Sequence, residues 1–355
     1  MSLRAAVLLI AAAVLPATPA LCASPQSLGT QSGKPFLHAS SGLAIPDNVD
    51  GFERGRASDY GTSQSDVSFM FHDDSTKSTS TVYIYRAGIP NVSIWTERAD
   101  AAIHLSAAEH YGTLDEAGRQ WARFSPWSNS PDSALRIVYP VSGKTTSATG
   151  LIIAQHGAWL IKIRITSSVL TAAQLDKRLG SFFAELNLPA PKDASALAYA
   201  IQACADALPG KKAKLVQSGN GDEIMAGALA NSIVLEVADT QPTSTGARPV
   251  IYCRDAASQA AYSVFRSGGS REAYLIAAGD GGATLMIGPD AGARMLNPKS
   301  GAYSVTLLTT DRQFGFVPYQ SMPAPRQTMD ELGSARPTYI RSRIPGQQKE
   351  IQIVM

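Results

Sequence analysis

The chain has 355 residues, 45% of them hydrophobic, with 31 Lys plus Arg against 29 Asp plus Glu. A formal net charge of +2 is too small for the broad electrostatic footprint that binding to nucleic acid or an anionic membrane surface requires. We therefore predict no nucleic-acid partner. The apolar fraction excludes wholesale disorder, and 29 Gly and 21 Pro indicate many turns.

The first 23 residues have the features of a secretory signal peptide. Arg4 supplies the positive charge, and residues 5–15 form an unbroken apolar run that is too short to span a bilayer. Pro16 ends that run, and the small residues after it favour cleavage after Ala23. Lipidation of Cys22 is the alternative. Either way, we expect a periplasmic or secreted protein with no transmembrane segment in the mature chain.

Two cysteines remain after cleavage, Cys204 and Cys253. In an oxidising compartment an even pair favours a disulfide, so we predict a bridge between them. Closing a loop of about fifty residues stabilises a fold by ~4 kcal/mol in the chain-entropy model. No CxxC motif occurs, so neither a thioredoxin-type redox motif nor a cysteine zinc site is indicated.

The N-terminal half of the mature chain mixes strand and helix patterns. Residues 24–41 are rich in Gly, Ser and Pro without periodicity, which predicts a flexible lead-in. Apolar and polar side chains alternate on both sides of a polar turn within residues 67–85, which predicts two strands. The Ala-rich residues 95–111 predict a helix, with Thr96 as its N-cap and Gly112 as its stop.

Residues 135–166 predict a β-meander that contains a tight turn at His156-Gly157. Pairing across this turn is expected to place Ala154 opposite Trp159, with the apolar side chains of the third strand on one core face. Residues 171–188 then predict an amphipathic helix that covers the sheet. A Thr171/Gln174 capping box marks the start of this helix.

Two prolines within residues 188–193 break that helix and mark our predicted domain boundary. Apolar spacing over residues 197–208 predicts a short helix after the boundary. The rest of the chain predicts strands at residues 233–237, 249–253, 261–265, 273–278, 283–287 and 303–309, and an edge strand at 351–354. Residues 279–282 read as a hairpin turn by composition.

The predicted fold class is therefore α+β, with two domains. Residues 42–190 are expected to form an antiparallel sheet flanked by helices. Residues 193–355 are expected to form a mostly β domain that begins with a helix.

The first domain resembles the PsbP-like fold, an antiparallel sheet sandwiched by helices. The resemblance is carried by Ile45-Pro46-Asp47, Gly51-Phe52, residues 81–85 and residues 157–186. These are packing patterns rather than catalytic signatures. The resemblance implies a protein that acts as a binding or assembly factor. The second domain resembles no fold that we can name.

Several motifs resemble a metal site or a phosphate-binding loop, but the spacing of their residues does not fit such a site. His104 and His110 lie six positions apart, which puts them about 240° apart around a helix and prevents them, with Glu109, from sharing one metal. Residues 142–145 resemble the end of a phosphate-binding loop, but they connect two strands and lack the helix N-terminus that binds phosphate. No GxSxG elbow is present. We therefore predict no metal, no cofactor and no catalytic set.

The candidate binding residues are Arg136, Lys162, Arg164 and Trp127. Period-two alternation places Lys162 and Arg164 together on the face opposite the apolar stripe, with Arg136 on the neighbouring strand. Such cations suit an anionic or carboxylate group, although salt-bridged or solvated side chains are the alternative. Trp127 lies in a turn-rich loop, where it either contacts a partner or covers the core.

These features favour an exported envelope binding or assembly factor without catalytic activity, whose partner is an unidentified protein or envelope component. Two alternatives remain: a hydrolase that acts on an envelope polymer, and an inhibitor or immunity-type protein. A binding protein is expected to have an exposed apolar or aromatic patch without a deep polar cleft. An enzyme is expected to cluster His, Asp or Glu side chains with shifted pKa values in one pocket.

Overall fold

The computed structural model describes residues 25–143, 145–193, 195–217, 250–344 and 351–354. The predicted signal peptide, with its cleavage and lipidation alternatives, and the predicted strand at 233–237 lie outside these residues. The described chain is mostly β with few helices, and its strands form two large sheets and one short pair. Across the described ranges, no helix is long and apolar enough to cross a membrane.

The first sheet has ten strands. They are β1 Gln26–Leu28, β4 Asn48–Val49, β5 Phe52–Asp59, β6 Asp66–Asp73, β7 Ser78–Tyr85, β8 Thr113–Leu114, β9 Gln120–Phe124, β10 Ala134–Ser142, β11 Ala148–His156 and β12 Trp159–Ser167. Their order is β1-β5-β6-β7-β12-β11-β10-β8, and β4 pairs with β5 while β9 pairs with β10. Every pairing in this sheet is antiparallel. The short separate pair is β2 Phe36–Leu37 with β3 Ala44–Ile45.

The second sheet has nine strands in chain order. They are β13 Gln202–Ala203, β14 Tyr252–Arg254, β15 Tyr262–Ser267, β16 Tyr274–Ala278, β17 Ala283–Pro289, β18 Tyr303–Leu308, β19 Arg312–Gly315, β20 Tyr339–Ser342 and β21 Ile351–Ile353. The strands predicted at 261–265, 273–278, 283–287 and 303–309 are confirmed, as are the hairpin turn at 279–282 and the C-terminal edge strand. The strand predicted at 249–253 begins only at Tyr252, and residue 249 lies outside the described residues.

Four α-helices accompany the sheets within the described residues: α1 Val92–Ser106, α2 Ala172–Glu185, α3 Ala291–Leu296 and α4 Pro325–Leu332. A π-helical turn, Ala107–Tyr111, extends α1 to the predicted stop at Gly112. The N-cap of α1 is Asn91 rather than Thr96, because the Asn91 side chain accepts a hydrogen bond from the Ile94 amide at 3.1 Å. The predicted capping box of α2 is confirmed.

The segment predicted as a flexible lead-in contains two short strands, Gln26–Leu28 and Phe36–Leu37, and both pair with other strands. β1 runs antiparallel to β5, and β2 pairs with β3. His38 is fully buried, and its ring nitrogens contact the Ser41 hydroxyl at 2.5 Å and the Gln64 carbonyl at 2.7 Å. Composition concealed these contacts, since the strands are only two or three residues long and β1 pairs with a strand about thirty residues further along the chain.

The helix predicted over residues 197–208 is also absent, and this segment runs extended. β13 lies parallel to β14, and the amide of Cys204 donates to the Arg254 carbonyl at 2.9 Å. Cys204 and Cys253 form the predicted disulfide. The ladder and the disulfide therefore override the helical spacing of the local apolar residues.

The meander between β10 and β12 is confirmed, but its register differs from the prediction by two residues. His156 pairs with Trp159, so Ala154 lies opposite Ile161 instead of Trp159. Only Gly157 and Ala158 form the turn, and Gly157 has a positive φ of 60°. A slip of two residues keeps every side chain on its expected face, because the strand period is two.

Helix α1 lies between the two sheets and shares a core with both. Its buried Trp95 and Ile103 belong to one apolar cluster with Leu151 and Leu160 of the first sheet. Phe265, Leu275 and Ala277 of the second sheet belong to the same cluster. Two further clusters lie on the remaining faces, one joining α2 to the first sheet and the other lining the far side of the second sheet.

The buried side chain of Arg98 extends from α1 to the second sheet. It is 2% exposed, and its guanidinium donates to the Gly279 carbonyl at 2.9 Å, the Ser263 hydroxyl at 3.1 Å and the Ala260 carbonyl at 3.0 Å. Burying a guanidinium is tolerated when its hydrogen bonds are satisfied. These bonds therefore orient the helix on the second sheet.

Another buried arginine, Arg266, supports the disulfide. It is fully buried, with its Nε 3.1 Å from the carboxylate of Asp255 and 3.3 Å from the Cys204 sulfur. A second carboxylate, that of Asp206, accepts from its Nη2 at 2.8 Å. This ion-pair group packs the bridged segment against β15.

Replacing Arg98 tests the helix-to-sheet contact. We expect Arg98→Met to lower the free energy of unfolding by about 3 kcal/mol, because two carbonyls and a hydroxyl lose their donor in a buried place. Urea denaturation measures the change. Arg326, whose side chain is 79% exposed, gives the matched control, and Arg326→Met should stay within about 0.5 kcal/mol of wild type. Equal effects of the two substitutions would contradict the assignment.

The domain boundary near residues 188–193 stays a prediction, and a fragment of residues 25–190 tests it. We expect this fragment to unfold cooperatively but at lower stability than the full chain, because α1 loses its apolar neighbours Phe265, Leu275 and Ala277. Circular dichroism during urea denaturation measures the stability and cooperativity of the fragment, and binding of a hydrophobic dye detects exposed apolar surface. A fragment without a cooperative transition would show that the two parts fold only as one core.

Candidate functional site

The register of the first sheet separates the three predicted cations. Lys162 pairs with Ile153 and Arg164 with Leu151, so both lie on the face that carries helix α1. Arg136 pairs with Ile152, which belongs to the apolar cluster beneath α2. Arg136 therefore lies on the opposite face and cannot join the other two in one site.

Arg136 is engaged by helix α2. Its Nε lies 2.7 Å from the Asp176 carboxylate, and both side chains are about one-quarter exposed. The guanidinium also lies over the Phe124 ring, 5.8 Å from the centroid. Arg136 thus holds α2 on the sheet, which is the salt-bridged alternative considered from the sequence.

Lys162 is a buried residue that joins the two sheets. Its side chain is 7% exposed, and Nζ lies 2.8 Å from the carboxylate of Asp280 in the turn between β16 and β17. Nζ also lies 4.3 Å from the centroid of the Tyr83 ring and 5.6 Å from that of Tyr85. Burial would raise the pKa of Asp280, but the charge and hydrogen bond of Lys162 outweigh it and lower that pKa.

Trp127 packs onto the first core rather than standing free. It contacts that core as a half-buried side chain, with its ring 5.7 Å from His156 and 6.4 Å from Phe183 between centroids. Burial lowers the pKa of His156 despite its contact with the Pro189 carbonyl. Trp127 therefore covers the end of the core.

Arg164 is the one predicted cation that has no salt bridge among the described residues. The side chain is half-buried, and its guanidinium lies over the Tyr111 ring at 5.5 Å. Its Nε and Nη2 are shielded from solvent and have no hydrogen-bond partner within the described part of the chain. Such nitrogens cost free energy until an acceptor reaches them.

Arg164 borders a part of the first sheet whose side chains reach solvent. Helix α1 covers the strands β10 and β11, whereas β6, β7 and the end of β12 keep exposed or half-exposed residues. We call this surface the polar sheet face; its residues are Met70, His72, Thr79, Thr81, Arg164 and Thr166. Three hydroxyl groups and one guanidinium lie on it, and the exposed Glu53 carboxylate lies beside His72 at 3.9 Å. The hydroxyls and the guanidinium are groups that can bind a polar, negatively charged group.

A second cluster of polar side chains lies at the exposed end of α1. We call it the acid–histidine cluster; it contains Asp100, His104, Glu116, Arg119 and Tyr139. The two nitrogens of His104 contact the Asp100 carbonyl at 2.9 Å and the Glu116 carboxylate at 2.6 Å. The carboxylate of Asp100 accepts from Tyr139 at 2.9 Å and from Arg119 at 3.2 Å.

The acid–histidine cluster shifts the ionisation of its members. Burial alone would lower the pKa of His104, but the Asp100 carbonyl and the Glu116 carboxylate outweigh burial and raise it. Burial raises the pKa of Asp100, although Arg119 and Tyr139 oppose this shift. Burial, with the Asp100 charge, also raises the pKa of Tyr139. Sequence reasoning missed this cluster because its members come from a helix, a loop and a strand.

Neither the polar sheet face nor the acid–histidine cluster forms a metal site among the described residues. Within the described ranges, no group of three or more His, Cys, Asp or Glu side chains is placed to hold a metal ion. No protein-family model, curated protein or solved structure matches the chain. We therefore base the proposed function on the polar sheet face and the acid–histidine cluster.

The contact between His104 and Glu116 predicts a pH effect. Because the pKa of His104 is raised, its protonated form stabilises the fold fully below the unfolded pKa of about 6.5, and this stability is lost as pH rises through the folded pKa. We expect Glu116→Gln to lower the His104 pKa measured by NMR. Glu109→Gln beside the exposed His110 is the control, and an unchanged His104 midpoint in Glu116→Gln would contradict the prediction.

Proposed function

We propose that the protein is an exported, non-catalytic binding or assembly factor that contacts a carboxylate or phosphate group of an envelope partner through Arg164. The observation that carries this proposal is the guanidinium of Arg164, which borders an open polar surface without a salt bridge among the described residues. A bidentate anion satisfies two guanidinium nitrogens at once. Because Nε and Nη2 are shielded from solvent, the Arg164 side chain must turn toward the polar sheet face to bind it. The Tyr111 ring restrains the same group.

The proposal narrows the predicted patch of three cations to one. Asp176 neutralises Arg136 and Asp280 neutralises Lys162, at 2.7 Å and 2.8 Å. A cation that already has a close carboxylate contributes little to an additional anion. Arg164 is therefore the residue on which we base recognition, while Thr81 and the other hydroxyls of the polar sheet face supply neutral hydrogen bonds.

The proposal also includes export of the protein and a first sheet that is flanked by helices. The Cys204–Cys253 disulfide supports an oxidising compartment, as the N-terminal signal-peptide pattern does. The apolar contacts of α2 and α1 with the first sheet support a sheet flanked by helices. A sandwich of this kind suits a binding or assembly role, which is what the resemblance to the PsbP-like fold implies.

The acid–histidine cluster supports a second candidate function, hydrolysis of an envelope polymer. His104 and Asp100 have shifted pKa values and lie next to Glu116, as expected of an acid–base pair. Within the described part of the chain, no Ser or Cys side chain hydrogen-bonds to the cluster. Turnover of purified cell-wall polymer by wild type but not by His104→Ala would favour the enzyme over the binding protein.

Substituting Arg164 tests the binding function. We expect Arg164→Met to weaken capture of the envelope partner about 10- to 100-fold, since charge-assisted hydrogen bonds contribute roughly 1.5–3 kcal/mol. The measurements are affinity capture from envelope extract with mass spectrometry, and NMR of the Arg164 Nε–H with added phosphate or acetate.

Arg136→Met is the matched control, because Arg136 pairs with Asp176 on the opposite face. It should leave capture unchanged while lowering stability slightly. Unaltered capture by Arg164→Met, together with an Arg164 resonance that ignores both anions, would remove this residue from the site.

A further inference from the structure

The connection between β17 and β18 carries a run of solvent-exposed residues. Helix α3 begins after Asp290, whose buried carboxylate accepts from the Ala293 amide at 2.8 Å. After the helix the chain turns back, and the Ser300 amide donates to the Asn297 carbonyl at 2.8 Å. Residues 294–299 are all exposed. We call this run of residues the α3 tip.

Two large apolar side chains lie in the α3 tip. Met295 is 78% exposed, the highest exposure of any large apolar side chain among the described residues, and Leu296 is 62% exposed. Only Gly292 of α3 is buried, so the helix does not turn these two side chains toward the core. Single apolar residues on a surface are ordinary. Two adjacent ones form a continuous apolar surface that gains free energy by leaving water.

A second segment brings one more apolar and one cationic residue to the same end of the second sheet. A Cβ built on Gly301, just after the tip, would lie 3.4 Å from the Gln320 carbonyl oxygen. The Gln320 amide donates in turn to the Lys214 carbonyl at 2.8 Å. Lys214 is exposed, and the next residue, Leu215, is 48% exposed. Only one chain segment therefore separates this pair from the α3 tip.

Positive charge flanks the apolar pair. Arg294 and Lys299 lie on either side of it in the sequence, and the tip contains no acidic residue. The acidic side chains that border the tip are already engaged. Asp290 caps α3, and Glu331, near the second segment, accepts from the Tyr319 hydroxyl at 2.5 Å. The tip therefore presents apolar groups between cations.

We propose that the α3 tip docks the protein on an anionic lipid surface. Met295 and Leu296 enter the boundary between headgroups and acyl chains, where they leave water. Arg294, Lys299 and Lys214 lie against the lipid phosphates, and each cation near such a surface adds to the attraction. The net charge of +2 excludes a broad electrostatic footprint, but a local cluster acts within a Debye length of the surface.

A protein partner fits the α3 tip less well than a lipid surface. A stable protein interface engages about 20–30 residues on each side, which is several times the length of the tip. A second copy that used the same tip would bring the cations of both chains together, and like charges repel. A lipid surface supplies anions next to an apolar phase and requires no matching shape.

Sedimentation with vesicles tests the docking, using the purified chain from residue 24 onward. We expect binding to vesicles of equal parts phosphatidylglycerol and phosphatidylcholine, and much weaker binding to phosphatidylcholine alone or in high salt. Leu296→Ser should lower the binding constant about tenfold, because one apolar side chain no longer leaves water. Leu37→Ser, at a leucine that is 65% exposed on β2, is the matched control and should bind as wild type.

Oxidation of methionine by hydrogen peroxide reports where the vesicles bind. We expect the phosphatidylglycerol vesicles to slow oxidation of Met295 several-fold, because the inserted thioether is shielded from the oxidant. Met70, which is 42% exposed on the first sheet, should oxidise at the same rate with and without vesicles. Both rates come from one sample by mass spectrometry of peptides.

The docking does not depend on the proposed function, so Arg164→Met should bind the vesicles as wild type does. Equal binding of Leu296→Ser and Leu37→Ser would overturn the proposal, as would equal protection of Met295 and Met70. Self-association that Leu296→Ser abolishes, in a chain that ignores the vesicles, would assign the tip to a second copy and overturn it too.

Discussion

The burial of helix α1 between two sheets is the constraint on which the rest of the structure depends. A helix with one solvent-exposed face can place its charged side chains on that face. Helix α1 instead packs against both sheets, and its Arg98 is buried between them. The second sheet must therefore bring acceptors to this guanidinium, and the β16–β17 turn does so through Gly279. The same turn carries Asp280 to Lys162. One helix charge and one strand charge thus both contribute to how the sheets meet.

The position of α1 also decides which part of the first sheet stays open. The helix covers β10 and β11 with apolar side chains, and its π turn ends at Tyr111 beside Arg164. Beyond that point β6 and β7 present Met70, Thr79 and Thr81 to water. An antiparallel sheet tolerates one wet face because its strands alternate polar and apolar residues. The polar sheet face is therefore a consequence of helix length, and Arg164 lies at the border between covered and open surface.

Local periodicity predicted most strands, helix α2 with its capping box, and the face on which Lys162 and Arg164 lie. It failed where distant residues decide the outcome. Residues 26–28 are too few and too polar to be predicted as a strand, yet they pair with β5. The segment around Cys204 has helical spacing, but its disulfide and ladder partners extend it. Likewise, Asp176 and Asp280 are far from Arg136 and Lys162 in sequence, so neutralisation of both cations was hidden until the layers were assembled.

The buried charged side chains differ in how many of their hydrogen-bonding groups have a partner. This difference indicates which of them can bind an additional group. Arg98, Arg266 and Lys162 each have close acceptors, so moving any of them costs hydrogen bonds. Arg164 has no salt bridge among the described residues, and its guanidinium gains free energy from a new partner. An uncompensated group persists in a fold only when the surrounding packing outweighs its cost. A guanidinium that lacks a close acceptor gains free energy from an arriving anion, so Arg164 is the cation on which the proposed binding function rests.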